Sequence, residues 1–248
     1  MPPKKDRVKP RGARLNQVAK QEDLLRRGMR QLGLPAEERS VSLLIAYINL
    51  LLQQNQTMNL TAITSPLEAV TKHLMDSLSI AQYVPDGRVV DVGCGGGCPG
   101  IPLAIIKPES QIILVESKNK KANFLNATIQ ALKLKNTKTI CQRAESVELT
   151  KKADAVVCRA LGSIAYFISV AGHMLKKQGR LLAMKGKIPH SELSEIPLGW
   201  EALETKKNTC ASPAGRTTFN NSAQVNLRCQ KSLQSQTKKA ALEKQPPR

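Results

Sequence analysis

The chain has 248 residues, 38 Lys/Arg against 19 Asp/Glu for a net charge of +19, and only seven aromatic residues. That length supports one sizeable core plus an appendage. The longest apolar run, "SLLIAYINLLL", is about half of the roughly 20 residues a membrane span needs, and the charged N-terminus "MPPKKDRVKPRGAR" has no apolar stretch behind it. The expectation is a cytoplasmic protein without membrane segment, secretory signal or disulfides.

The surplus of cations favours a polyanionic partner. Its distribution is uneven. Residues 1–30 hold ten Lys/Arg against three acids, residues 206–248 hold nine against one, and the middle of the chain carries only +4.

Residues 1–20 are rich in Lys, Arg and Pro, the composition of a disordered basic arm. From 21 to 85 helical spacing takes over. "EDLLRRGMRQLGL" predicts a helix ending near Gly33. In "EERSVSLLIAYINLLLQQN", Val41, Leu44, Ile48 and Leu51 share one face. "SPLEAVTKHLMDSLSIAQYV" opens with Ser65 as N-cap and Pro66 at the first helical position, and Pro85 stops it. His73 and Asp76, three residues apart, lie on one face of that helix. They suit a pocket wall, an RNA contact or a hydrogen bond to the domain that follows.

Residues 86–205 change to short β-branched runs alternating with helices. The strands are "RVVDV", "QIILVE", "TKTIC", "ADAVVCR" and "GRLLAMKG". Such alternation predicts an α/β fold: a doubly wound, mostly parallel sheet behind an N-terminal helical extension.

The first strand runs into "DVGCGGGCPGIPLAII". In a doubly wound sheet this loop sits at the switch point where ligands bind, and its glycines permit sharp turns and close approach. No G-K-[ST] follows, so the loop is not a triphosphate P-loop. A dinucleotide matches Gly95-x-Gly97-x-x-Gly100 with Glu116 beyond, and a plain strand–helix turn also explains the glycines. Asp91 favours a third reading. A carboxylate beside a diphosphate repels it, whereas a cation is attracted. S-adenosylmethionine carries a sulfonium and an amino group, so Asp91 suits its methionine end and Glu116 its ribose.

Six cysteines occur at 94, 98, 141, 158, 210 and 229. Cys94 and Cys98 lack a nearby histidine or second pair, so no metal is expected. The segment "CRALGSI" after the fourth strand contains neither an Asn/Asp-Pro-Pro-aromatic motif for exocyclic amines nor a Pro-Cys nucleophile for cytosine carbon. Guanine N7 needs neither, because its lone pair is free and no proton has to leave.

Several stretches, in order and spacing, resemble the bacterial small-subunit ribosomal RNA guanine-N7 methyltransferases (glucose-inhibited division protein B). They are "NLTAI", "KHLMDSL", "DVGCGGGCPGIPLAI", "ESKNKKANFL", "QRAESV", "VVCRAL" and "MKGK", within residues 43–200. The resemblance implies a Rossmann-like class I S-adenosylmethionine-dependent methyltransferase. Its target is N7 of guanine 527 in the 530 loop of 16S rRNA. By position it implies cofactor contacts at Gly93, Cys98, Ala144, Glu145 and Arg159, beside Asp91, Gly95 and Glu116. Arg159 and His73 are the candidates nearest the chemistry. Lys118, Lys120, Lys121, Lys185 and Lys187 are candidate RNA contacts, against the plainer reading of solvated lysines. The expected partner is 16S rRNA, free or within the 30S subunit, and the expected state a monomer. Two other readings remain: a methyltransferase of another RNA or small molecule, and a basic RNA-binding protein without catalysis.

After residue 207 the resemblance stops. Shifting the degenerate codons of Asn208 to Phe219 by one nucleotide permits Ile-His-Val-Pro and then Glu-Arg-His-Leu, the ending of the family. A frameshift near 207 is therefore expected, with 206–248 a disordered, out-of-frame tail. On that reading the sheet lacks its last two strands, and stability and activity are low.

Overall fold

The computed structural model describes residues 11–207 and 223–229. Helix α1 spans Arg11–Gln31, so residues 11–20 are helical rather than part of a disordered arm. The reason is a stripe that begins at Val18, which packs on the core, and continues through fully buried Gln21, Leu25 and Met29. Lys20, Arg27 and Arg30 ride on the solvent side of a helix the stripe holds in place. Residues 1–10 lie outside the described residues. Gly33, at φ +68, turns the chain after α1.

Helix α2 (Glu38–Met58) buries Val41, Leu44, Ile45, Tyr47, Ile48 and Leu51. The third helical stretch is divided. A short α3 (Pro66–Ala69) leads into a π-helical turn, Val70–Met75, and then α4 (Asp76–Ser79). Ser65 caps α3 and Pro66 occupies its first turn, as expected.

The strands are β1 (Arg88–Val92), β2 (Gln111–Val115), β3 (Thr137–Ile140), β4 (Ala153–Arg159), β5 (Leu175–Lys185), β6 (Trp200–Lys207) and β7 (Ala223–Cys229). They form one sheet in the order β3-β2-β1-β4-β5-β7-β6. The first five pair in parallel, and β7 is antiparallel to both β5 and β6. Crossovers are made by α5 (Gly100–Ile106), α6 (Asn119–Ala131) and α7 (Ile164–Ala171), while α8 (His190–Ser194) follows β5.

Alternate residues of each strand face two apolar layers. Val89, Leu114, Val157 and Leu182 join Leu25, Tyr47 and Leu78 in a core shared with the N-terminal helices. Val90, Ile113, Val156 and Leu181 pack with Phe167 and Ile168 of α7. The helical extension and the sheet are thus halves of one core.

The expectation that the sheet lacks its last two strands is corrected. β7 lies between β5 and β6, with Ala223, Val225 and Leu227 fully buried. These alternate with Gln224, Asn226 and Arg228, the period of two that a strand requires. The expected low stability and activity rested on the missing strands and lose that support. The codon argument concerns residues 208–221, which lie outside the described residues, as does Cys210.

The β1–α5 junction leaves no room for a side chain at Gly100. A Cβ on Gly100 would stand 2.3 Å from Leu114 Cδ2, 2.8 Å from Asp91 Oδ2 and 3.1 Å from Asp91 Cβ. Overpacking of this kind costs about 1–3 kcal/mol. Gly100→Ala is therefore expected to lower the thermal midpoint by several degrees. Gly186→Ala, with nothing within 4 Å of its Cβ, is expected to leave it unchanged. Equal midpoints for the two variants would contradict this packing.

Candidate active site

The residues named for chemistry gather at the carboxyl ends of β1, β2 and β4, beside the helical extension. Gly93, Gly95 and Gly97 have φ of +67, +55 and +100, backbone that side chains rarely adopt. Their directions are fixed by hydrogen bonds. Gly93 N–H donates to Val115 O at 2.9 Å, and Gly97 N–H to Cys94 O at 2.7 Å. Glu116, at the end of β2, accepts from Gly95 N–H at 3.0 Å on one oxygen and from Lys118 N–H at 2.9 Å on the other. One carboxylate thereby joins the glycine loop to the start of α6. Each oxygen retains a lone pair for a hydroxyl donor.

Asp91, expected to suit the methionine end of the cofactor, lies beneath the loop. It is fully buried, and Oδ2 accepts from Gly100 N–H at 2.7 Å. The other oxygen, Oδ1, has no hydrogen-bond partner. Burial pushes its pKa up to about 7, against the lowering effects of the Gly100 hydrogen bond and the Arg159 charge. Through its bond to Gly100, Asp91 anchors the loop to β1.

Arg159 ends β4 and reaches back to the extension. Its Nε stands 3.4 Å from Asp76 Oδ2, its Nη2 donates to Lys72 O at 3.1 Å, and its Nη1 lies 3.1 Å from His73 Nδ1. A guanidinium only donates, so His73 Nδ1 accepts and its proton sits on Nε2. Nε2–H then donates to Thr61 Oγ1 at 2.8 Å. Burial and the Arg159 charge hold the His73 pKa down at about 4, so the ring is neutral. Both ring nitrogens are occupied, and His73 orients Arg159 rather than carrying a free base.

Two residues of this network had no assigned role in the sequence. Thr61 receives His73, and its backbone is pinned from both sides by Asn55 of α2, at 2.8 Å each. An amide in the last turn of α2 was the available signal. Cys98 is half-buried against Tyr47, with Sγ 3.1 Å from the tyrosine hydroxyl. Ala144 and Glu145 form a 3-10 turn beyond β3, and Glu145 accepts from Tyr166 Oη at 3.2 Å.

The lysines separate into two groups. Lys118, Lys120 and Lys121 line a cleft of about 640 Å³ with Thr57, Met58 and Asn59 at the end of α2. Lys121 Nζ stands 4.0 Å from where a Cβ of Gly95 would sit. Lys187 is exposed on the turn after β5. Lys185 is corrected: its ammonium pairs with both Glu192 oxygens at 2.8 and 3.0 Å and donates to Gly162 O. An RNA phosphate would have to break that pair. Among the described residues no group of three metal-binding side chains occurs, and no helix is long and apolar enough to cross a membrane.

A sheet in this order, with the glycine loop after β1 and an acid ending β2, defines the Rossmann-like class I methyltransferase fold, which uses S-adenosylmethionine. The solved tRNA (m1A58) methyltransferase TrmI from Aquifex aeolicus shares the fold. It has a TM-score of 0.50 at 15% identity, covering 62% of this chain and 68% of that one. The chain belongs to the family described as rRNA small subunit methyltransferase G, whose family model matches residues 40–218. The match runs past residue 207, where the resemblance was expected to stop. Similar proteins include the ribosomal RNA small subunit methyltransferases G of Xanthomonas campestris pv. campestris and Stenotrophomonas maltophilia. The first is 45% identical over 65% of this chain and 76% of its own length, and the second 42% over 77% and 89%.

The side chains fit that cofactor. A buried carboxylate with an unpartnered oxygen favours a nearby cation, and Glu116 has lone pairs for a diol. The raised pKa of Asp91 has a definite sign. The folded chain holds this proton up to about pH 7, so the group costs stability as pH rises from its ordinary value near 3.8 toward 7. A bound cation favours the carboxylate, so binding releases the proton. Between pH 6 and 7.5 the ionised fraction rises roughly eightfold, and affinity for S-adenosylmethionine rises with it. Titration calorimetry in two buffers is expected to record proton release, and Asp91→Asn to abolish both effects. Equal affinity of the unaltered chain across this range would contradict the assignment.

Proposed function

We propose that the chain transfers a methyl group from S-adenosylmethionine to N7 of guanine 527, in the 530 loop of 16S rRNA. The family match over residues 40–218 carries this reading. The chain acts as a cytoplasmic monomer on the RNA or on the 30S subunit.

The occupied ring nitrogens of His73 support this acceptor. Methylation of an amine or hydroxyl needs a group to take a proton, whereas guanine N7 attacks with its own lone pair. The cofactor supplies an electrophilic methyl on a sulfonium. What remains for the protein is alignment and charge. Asp91 sets a negative field beneath the glycine loop, and Glu116 holds the loop against α6. Gly93, Gly95, Cys98, Ala144 and Glu145 form the cofactor wall, and Arg159 is held ready at its edge by His73 and Asp76. Lys118, Lys120, Lys121 and Lys187 neutralise RNA phosphates around the mouth.

Incubation of the purified chain with labelled cofactor and either 30S subunits or bare 16S rRNA tests this. The expected product is 7-methylguanine at position 527. Replacing Lys118, Lys120 and Lys121 together by Ala is expected to raise KM for RNA at least tenfold at 0.1 M salt and to flatten its salt dependence. Cofactor affinity should not change. Label on another nucleotide, or none on either RNA, overturns the proposal.

A further inference from the structure

Tyr47 is fully buried in the middle of α2, yet its hydroxyl does not serve the apolar core around it. It donates to Gly96 O at 2.9 Å and stands 3.1 Å from Cys98 Sγ. One turn on, Leu51 closes over the same residue: a Cβ on Gly96 would lie 2.7 Å from Leu51 Cδ1. Gly96 sits between Gly95 and Gly97, both at positive φ. Such a segment has many accessible conformations when nothing holds its peptides. The two flanking N–H groups are tied, Gly95 to Glu116 and Gly97 to Cys94. The carbonyl between them is held by Tyr47.

We propose that Tyr47 is a positioning residue for the cofactor loop, through which the helical extension sets the affinity for S-adenosylmethionine. The inference rests on the methyltransferase reading of the site. Burial pushes the Tyr47 pKa well above its ordinary value, so the hydroxyl keeps its proton and remains a donor. Without that donor the Gly96–Gly97 peptide is held from its N–H side alone, by Cys94 O, and only a fraction of molecules presents the loop ready for the cofactor. Apparent affinity falls by that fraction, while cofactor bound at saturation restores the loop. The signature is therefore a change in KM for S-adenosylmethionine with little change in kcat. A merely structural tyrosine would instead lower the amount of active protein.

The test is Tyr47→Phe, which keeps the ring and removes one oxygen. Ile48→Val serves as the comparison: Ile48 is its fully buried neighbour on α2, and the change removes one core methyl and no hydrogen-bonding group. Calorimetric titration with S-adenosylmethionine and steady-state methylation of 30S subunits are measured on both. Tyr47→Phe is expected to raise Kd and KM for the cofactor roughly fivefold or more, with kcat at saturation within about twofold. Ile48→Val is expected to move neither. Unchanged cofactor affinity in Tyr47→Phe overturns the inference, as does an equal loss in Ile48→Val. If the unaltered chain itself fails to bind S-adenosylmethionine, the methyltransferase reading falls instead.

Discussion

A cation at the end of a central strand has to be paired and aimed, and in this protein the N-terminal helices do both for Arg159. Asp76 supplies the opposite charge, His73 an acceptor nitrogen and Lys72 a carbonyl. Three bonds in a half-buried setting fix a planar guanidinium more firmly than a surface ion pair would. The contact requires the π-helical turn to lie against β4, and the shared core of α1, α2, β1 and β4 holds it there. The extension therefore fixes the position of Arg159.

The charge pattern of the site follows from burial. Asp91 is enclosed and resists ionisation, so its negative field is strongest when a cation is close. His73 is enclosed beside an arginine and resists protonation. Neither group is free to remove a proton from a substrate. That suits an acceptor with its own lone pair, for which the protein's tasks are alignment and electrostatics. Lys118, Lys120 and Lys121 make the wall of the outer cleft positive, while Lys185 is committed to Glu192.

Much of this was legible in the sequence. The β-branched runs from Val89 onward gave five strands in parallel order, because a sheet covered on both faces needs continuous apolar residues. The glycine loop and Glu116 announced the cofactor end. Three features were hidden, each for a physical reason. Residues 11–20 look like a disordered arm by composition, but Val18 and Gln21 extend the buried stripe of α1. The strand Ala223–Cys229 alternates apolar and polar residues over only seven positions and follows a segment without periodicity, so its pairing with β5 and β6 decides its state. Asp91 reads from the sequence as a carboxylate for a cation, but its bond to Gly100 N–H at the start of α5 shows only in the folded chain. The links from Tyr47 to Gly96 and from Thr61 to His73 join positions far apart or of unlike pattern, and only the folded chain brings them together.

A double-mutant cycle on Arg159 and Asp76, read as affinity for S-adenosylmethionine, addresses the claim that the extension builds the site. Arg159→Met and Asp76→Asn should each weaken binding, and the double variant should lose no more than the worse single one, since both break the same contact. Independent, additive losses, or an Asp76→Asn variant that binds the cofactor as tightly as the unaltered chain, would contradict it.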